Sequence, residues 1–334
     1  MDWFERLTGF REGTYAEAQG RLEVADGRLR SRVNGRSFAV GELETPTLRE
    51  LRQRAAGSLG EVAGRLTVTN VSGDVRQMHR GAPAAAGALF QVASQFNLLE
   101  MTQPGHTPED GVTRYQHDDT QGPACAIAAG AATIYRNYFA PVDDGIGQTR
   151  DRQIDCLADI GAVLGNAGDA LWRMRNGYAL CTAEGLAKID RRLRTLTATQ
   201  TDDLRDRLRI GMHWRVEVTD RPPPAPLVSQ AFCSALPVAY TSVPADGWQG
   251  FATLVLEGAY EATLWAAVHN AARHGSRTVF LTRLGGGAFG NPTAWIDAAM
   301  RRALHKLKGV ALDVRIVSYR RPDDALVQLA QEFR

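Results

Sequence analysis

The chain has 334 residues, 39 of them basic and 37 acidic, for a formal net charge of +2. Hydrophobic residues make up 44% and charged residues 23%, which suits a soluble globular protein with a sizeable core in one large or two smaller domains. That balance excludes nucleic-acid binding by bulk charge, and nothing in the apolar pattern reaches the ~18 residues of a membrane span.

The opening MDWFERLTGF is charged and amphipathic and does not read as a secretory signal. Asp26-Gly27 and Asn34-Gly35 separate short alternating runs between Arg21 and Glu44, the signature of a hairpin or meander. TLRELRQRAAGSL then reads as a helix. From about Arg65 strands and helices alternate. RLTVTNVSGD is a strand ending at Gly73-Asp74, and GALFQVASQFN is a strand ending at Asn97. PACAIAAGAATIYRNYF, Pro123 to Phe139, is one helix rich in small residues. Between about Asp144 and Arg209 the rhythm breaks. Ile154, Leu157, Ile160 and Leu164 form one helical stripe, Leu186, Ile189, Leu193 and Leu196 another, and TDDLRDRLRI a third helix. WRVEVTD and LVSQAFCSALPVAY are strands joined by the stiff Arg221–Pro226 segment. A helix over Leu256–Gly275, a strand from Thr278, a helix after Asn291, a strand VALDVRIVSY and a helix DDALVQLAQEF complete the chain. Such alternation predicts an α/β layered sheet.

LTRLGGGAFGNP, Leu281 to Pro292, is the most informative stretch. A strand leads into three glycines, and a helix follows with Asn291 as N-cap and Pro292 at its first position. A loop of this kind gathers bare backbone N–H groups beside a helix N-terminus, which suits a phosphate. A tight turn with no ligand is the plainer alternative. The cysteines Cys125, Cys156, Cys181 and Cys233 show neither metal nor redox spacing and read as buried free thiols of a reducing, cytoplasmic compartment. No cluster has metal-ligand spacing, and His117 is a lone loop histidine. Neither a metal nor a cofactor is expected.

Four separated stretches resemble, in order, the macrodomain superfamily: GDV at Gly73–Val75, QVASQFNLLE with Asn97, TQGPACAIAAGA, and LGGGAFGNP. The resemblance spans roughly Arg65 to Tyr319 outside the interrupted region. The glycine loop is also similar to that of poly(ADP-ribose) glycohydrolases, although that subfamily's paired glutamates are not here. In their place stands the acid-rich segment between Asn97 and Ala124, closer to a branch acting on ADP-ribosyl-arginine. The resemblance implies a macrodomain-like mixed sheet flanked by helices over 65–334, a helical insertion at about 144–210, and a small N-terminal α/β extension over 1–64.

It also implies a ligand, ADP-ribose or an ADP-ribosylated protein, and residues to hold it. Asp74, with Val75, is placed to accept from the adenine amine, the plainer alternative being a turn aspartate. Asn97 would bond a ribose hydroxyl, or cap a turn. Gln121, Gly122, Pro123 and Ala124 open a helix whose N–H groups suit the diphosphate. Gly285, Gly286, Gly287, Ala288, Phe289 and Gly290 would wrap the diphosphate and distal ribose, and a side chain at Gly286 or Gly287 would block that approach. Glycosidic cleavage at an anomeric carbon needs carboxyl groups to handle charge and protons. The candidates are Asp118 and Asp119, then Glu109 and Glu100, each of which could instead be a solvated acid. The expected function is hydrolysis of an ADP-ribosyl–protein bond, arginine being one linkage. The alternatives are a reader that binds ADP-ribose without cleaving it, a nucleotide protein with a convergent loop, and a partner-binding protein with an empty cleft. No nucleic-acid or membrane partner is expected.

Overall fold

A computed structural model describes residues 1–81 and 85–333. In chain order it contains α1 (Trp3–Thr8), α2 (Tyr15–Gly20), β1 (Leu22–Ala25), β2 (Arg28–Ser31), β3 (Ser37–Ala39), β4 (Glu42–Glu44), α3 (Leu48–Ala56), β5 (Thr67–Ser72), α4 (Val75–Arg80), β6 (Leu89–Ala93), α5 (Gln121–Ala128) and α6 (Gly130–Tyr138). There follow β7 (Pro141–Val142), β8 (Gly145–Ile146), α7 (Ala158–Leu164), β9 (Trp172–Arg175), β10 (Tyr178–Cys181), α8 (Ala183–Thr195), α9 (Ala198–Arg205), β11 (Gly211–Glu217), β12 (Leu227–Cys233), α10 (Ala245–His274), β13 (Thr278–Leu281), α11 (Thr293–Lys306), β14 (Asp313–Ser318) and α12 (Asp324–Gln331).

The seven-stranded sheet runs β4-β11-β12-β6-β13-β14-β5. From β12 to β5 the neighbours are parallel, while β11 and β4 add two antiparallel strands at one edge. Helices flank this mixed sheet, as expected of an α/β chain. Its central strands are buried along their length: Leu89, Phe90, Gln91 and Val92 of β6 are all inaccessible, as a parallel sheet covered on both faces requires. The 30-residue α10 is apolar on most of its surface and packs against α3, α8 and α11, so it is an internal helix.

Capping fixes several helix starts. Thr14 with Glu17, Thr47 with Glu50 and Thr197 with Gln200 each form a reciprocal capping box. The two hairpin turns predicted near the N-terminus join β1–β2–β3. That small sheet, α1 and α2 share a separate apolar core with α6, built on Trp3, Phe4, Leu7, Ile134 and Tyr138. By contrast β4 and α3 belong to the main layers, β4 pairing with β11 and α3 packing on α10. The 144–210 stretch contains the β9–β10 hairpin as well as α7, α8 and α9.

Two expectations require correction. The helix predicted over Pro123–Phe139 is two helices, because Ala129 leaves helical geometry at φ −112°, ψ 55°. The Ala128 carbonyl freed there accepts from the Asp220 N–H at 3.2 Å. Asn291 does not cap α11, whose cap is Pro292. Its buried side chain instead donates to the carbonyls of Leu236 at 2.8 Å and Gly285 at 3.3 Å, so it closes the glycine loop.

Candidate active site

The ends of the parallel strands open into one cleft of about 470 Å³. Gly73 and Asp74 follow β5, Val317 and Tyr319 lie at the end of β14, and Thr282 to Gly285 follow β13. Ser94 and Gln95 follow β6, and Ala235 follows β12. Crevices at the carboxyl ends of parallel strands are where open α/β sheets take ligands.

At one end Asp74 is exposed and lines the cleft with Val75. One oxygen, Oδ1, caps α4 by accepting from the Arg76 N–H at 2.7 Å, so the turn role and the cleft position coexist. Tyr319 stands nearby in the lining, 61% exposed. Both arginines in the lining are already paired. Arg76 forms a bidentate pair with Asp220, and Arg283 is shared between Asp297 and Asp323.

With those cations committed, backbone donors supply the positive character. Gly285, Gly287, Ala288 and Phe289 all line the cleft. Among the described residues their N–H groups have no hydrogen-bond partner. The loop is held open from beneath: the Tyr260 hydroxyl donates to the Thr282 carbonyl at 2.6 Å and accepts from the Leu284 N–H at 2.9 Å. Asn291 N–H reaches the Gly285 carbonyl at 3.0 Å. Such a row of free N–H groups is an anion-binding concavity. The glycine requirement differs from the expected one. Gly285 has φ +74° and Gly290 φ +70°, and a Cβ on either would collide with Ala235 or Ala239. Gly286 lies outside the lining, against Ile296, and Gly287 faces open space.

The start of α5 forms the opposite wall through Gln121, Gly122 and Ala124. The Gln121 side chain is engaged with β6, accepting from the Ala93 N–H and donating to the Gln91 carbonyl, each at 2.8 Å. It anchors the helix and leaves its backbone to the cleft. Gly122 is required because a Cβ would run into the Ala93 carbonyl and the carboxyl of Glu100.

Glu100 is the distinctive group in this cleft. It is 3% exposed, and its Oε1 has no hydrogen-bond partner. Burial pushes its carboxyl well above the ordinary range, with Arg136 pulling the other way and Asp118 reinforcing the rise. The Tyr115 hydroxyl accepts from the Glu100 N–H at 3.1 Å. Arg136 is itself buried and, among the described residues, forms no ion pair. It donates to the Leu98 carbonyl at 3.1 Å and lies 3.9 Å over the Phe232 ring. Asp118 and Asp119 line the mouth, and Asp118 Oδ1 accepts from both the N–H and the hydroxyl of Thr120.

Two expected residues stand elsewhere. Glu109 is exposed outside the lining and accepts from the Arg150 N–H at 2.8 Å. Asn97 is fully buried beneath the cleft and not part of its lining. β6 ends at Ala93, so Asn97 sits in the following loop, where its Oδ1 accepts from the Leu99 N–H at 3.1 Å. Sequence reasoning named Phe289 but missed the aromatic wall it belongs to. Tyr178, Tyr240 and Phe289 meet pairwise with ring centroids 5.2 to 5.6 Å apart. Tyr178 comes from the β9–β10 hairpin inside the stretch read as a helical insertion, and no local signal points to it. Tyr319 did have a signal, since it directly follows a strand predicted next to the site.

Among the described residues no group of three His, Cys, Asp or Glu is placed to hold a metal, and no helix is long and apolar enough to cross a membrane. The four cysteines are free and buried.

No protein-family model matches the chain, and no curated protein does. Solved structures show similarity over nearly the full length. Poly(ADP-ribose) glycohydrolase from Deinococcus radiodurans in complex with ADP-ribose is 13% identical, covers 97% of each chain and superposes with a TM-score of 0.45. A mutant poly(ADP-ribose) glycohydrolase from Thermomonospora curvata is 15% identical over 96% of this chain and 97% of that one, with a TM-score of 0.47. The Thermomonospora curvata enzyme bound to the inhibitor ADP-HPD gives 15%, 95% of this chain, 97% of that one and 0.44. At identities and TM-scores this low, the likenesses assign this chain neither a family nor an activity.

Proposed function

We propose that this chain is a hydrolase that releases ADP-ribose from an ADP-ribosylated protein by cleaving the glycosidic bond at the distal ribose. One observation carries the reading: a buried carboxyl with an unpartnered oxygen shares a single cleft with a row of free backbone N–H groups. Asp74 and Tyr319 supply a hydrogen-bond acceptor and a ring face for adenine. The free N–H groups of Gly285, Gly287, Ala288 and Phe289 receive the diphosphate, with the α5 N-terminus opposite. The distal ribose then lies toward Glu100 and Asp118.

The chemistry follows from the contrast between those two acids. Breaking the bond from the anomeric carbon builds oxocarbenium character, and the leaving atom needs a proton. Glu100, whose protonated form burial favours, gives its proton to that leaving atom. Asp118, half-exposed at the mouth, takes a proton from the attacking water as its oxygen bonds to the anomeric carbon. The bond to the acceptor breaks, the water's hydroxyl ends on ADP-ribose, and the Asp118 proton returns to Glu100 through solvent. Asp119 and Asp118 would also pair with the guanidinium of an arginine acceptor, which makes arginine one linkage for this site.

The test is mass-spectrometric detection of free ADP-ribose after incubation with arginine-linked and glutamate-linked ADP-ribosylated protein. Release from either supports hydrolysis and names the leaving group. Asp118→Ala is expected to stop turnover while ADP-ribose still binds. Binding without release from any linkage would make the protein a reader module, and equal binding of ATP or NAD would point to a general nucleotide site.

A further inference from the structure

The loop that presents Glu100 is clamped by the inserted segment. Phe96 N–H donates to the Gly177 carbonyl at 3.0 Å, and the Cys156 N–H donates to the Phe96 carbonyl at 3.0 Å. Asn97 Nδ2 donates to Gln153 Oε1 at 2.8 Å, Gln153 Nε2 donates to Asn176 Oδ1 at 2.9 Å, and Asn176 Nδ2 donates to the Pro104 carbonyl at 2.8 Å. This relay of amides starts three residues before Glu100 and ends four residues after it. Inside it, Leu98 has φ 64°, a conformation that costs a β- or γ-branched side chain free energy and persists only where the surroundings impose it. Gln95 closes the loop, accepting from the Met101 N–H at 2.6 Å and donating to the Met101 carbonyl at 3.1 Å.

The hairpin tip is fitted to this task. Asn176 and Gly177, at φ 48° and 79°, occupy the two central positions of the turn between β9 and β10, where an Asn-Gly pair is favoured. A Cβ on Gly177 would come within 2.6 Å of Asn97 Oδ1 and of the Gln95 side chain. The tip thus needs glycine for its turn and for its contact with the loop.

We infer that the insertion is a positioning device for the catalytic loop, with Asn97, Gln153, Asn176 and Gly177 as positioning residues that fix where the Glu100 carboxyl stands. The inference rests on the proposed role of Glu100 and reassigns Asn97 from ligand contact to loop brace. None of the four is part of the cleft lining, so none contributes to ADP-ribose affinity directly.

The test uses Gln153→Ala, which cuts the relay at a half-buried site, alongside Gly177→Ala. Loss of one such hydrogen bond is expected to lower kcat about tenfold, with the Kd for ADP-ribose within about twofold of wild type. In a Glu100→Gln background Gln153→Ala is expected to add nothing to the kcat loss, because both changes act through one group. Additive losses would overturn the inference. A second readout needs no turnover. The carboxyl carbon of Glu100, followed by NMR against pH and identified by its absence in Glu100→Gln, is expected to titrate nearer the ordinary range once the relay is cut. An unchanged titration would overturn the clamp. Failure of wild-type protein to bind ADP-ribose would sink the functional reading instead, and the titration would still judge the clamp.

Discussion

Glu100 and Glu261 are both buried glutamates, and the protein treats them in opposite ways. Glu261, on α10, has a fully inaccessible side chain but receives Arg52 Nε at 2.8 Å, Arg302 at 2.7 Å, Lys306 at 3.1 Å and the Trp265 indole at 3.2 Å. Burial pushes its carboxyl up, yet the hydrogen bond from Arg302 and the nearby Arg52 and Lys306 outweigh that and hold it below the ordinary range. Glu100 has no such partners, one oxygen is unsatisfied, and burial wins. Burial by itself does not decide ionisation. A carboxyl withdrawn from water stays charged only where donors replace that water. The first glutamate ties α3, α10 and α11 together, and the second is the group to which the proposed function gives the proton.

The comparison breaks most decisively at Glu100. Glu100→Gln is expected to cut ADP-ribose release about 10³-fold, the scale of a lost general acid, while calorimetric ADP-ribose affinity stays near wild type. Retained activity would make Glu100 a structural residue after all. At Glu261 the expectation is the reverse. Glu261→Gln removes the buried carboxylate shared by Arg52, Arg302 and Lys306, leaves them to Asp202, Asp206 and Glu257, and is expected to cost about 2 kcal/mol of stability, read as a lower urea midpoint, with turnover per folded molecule unchanged. Gly122→Ala sharpens the contrast within the cleft. The new Cβ displaces the Glu100 carboxyl or the Ala93 carbonyl, at about 2 kcal/mol of stability, and activity falls further than stability explains. Tyr319→Ala is a milder change, weakening ADP-ribose binding by about 1 kcal/mol through lost stacking with kcat unaltered.

pH gives the smallest effect and the clearest sign. Glu100 binds its proton more tightly folded than unfolded, so its contribution to stability is full below the ordinary carboxyl range and is lost as pH rises through its elevated folded value. Glu261 binds its proton less tightly folded, so its contribution is present above the ordinary range and is lost as pH falls through its depressed value. Unfolding curves of wild type and Glu100→Gln are therefore expected to coincide in acid and separate toward neutral pH, with the variant the more stable. Curves that separate in acid instead would contradict the assignment.

Periodicity and turn chemistry carried the sequence a long way. The α/β alternation, the Asp26-Gly27 and Asn34-Gly35 turns and the glycine loop are local signals, because a strand, a tight turn or a bare N–H row depends on residues adjacent in the chain. The resemblance could name Asp74, Gly122, Asp118 and Phe289 because its motifs are local too, each residue sitting beside a strand end or a helix start. The rest depended on contacts between distant segments. Glu100 and Glu109 look alike in an acidic stretch, and only packing against α5 buries one while leaving the other on the surface. Asn97 looks like a ligand residue until Gln153 and Gly177 close over it. Tyr178 enters the cleft from a hairpin 77 residues beyond the loop carbonyl of Met101 to which its hydroxyl donates. The sequence by itself determined the α/β alternation, the N-terminal turns and the bare glycine loop, though not the break at Ala129 or the β9–β10 hairpin. Tertiary structure alone decided which acid loses its water, because desolvation is set by neighbours that the chain brings together only on folding.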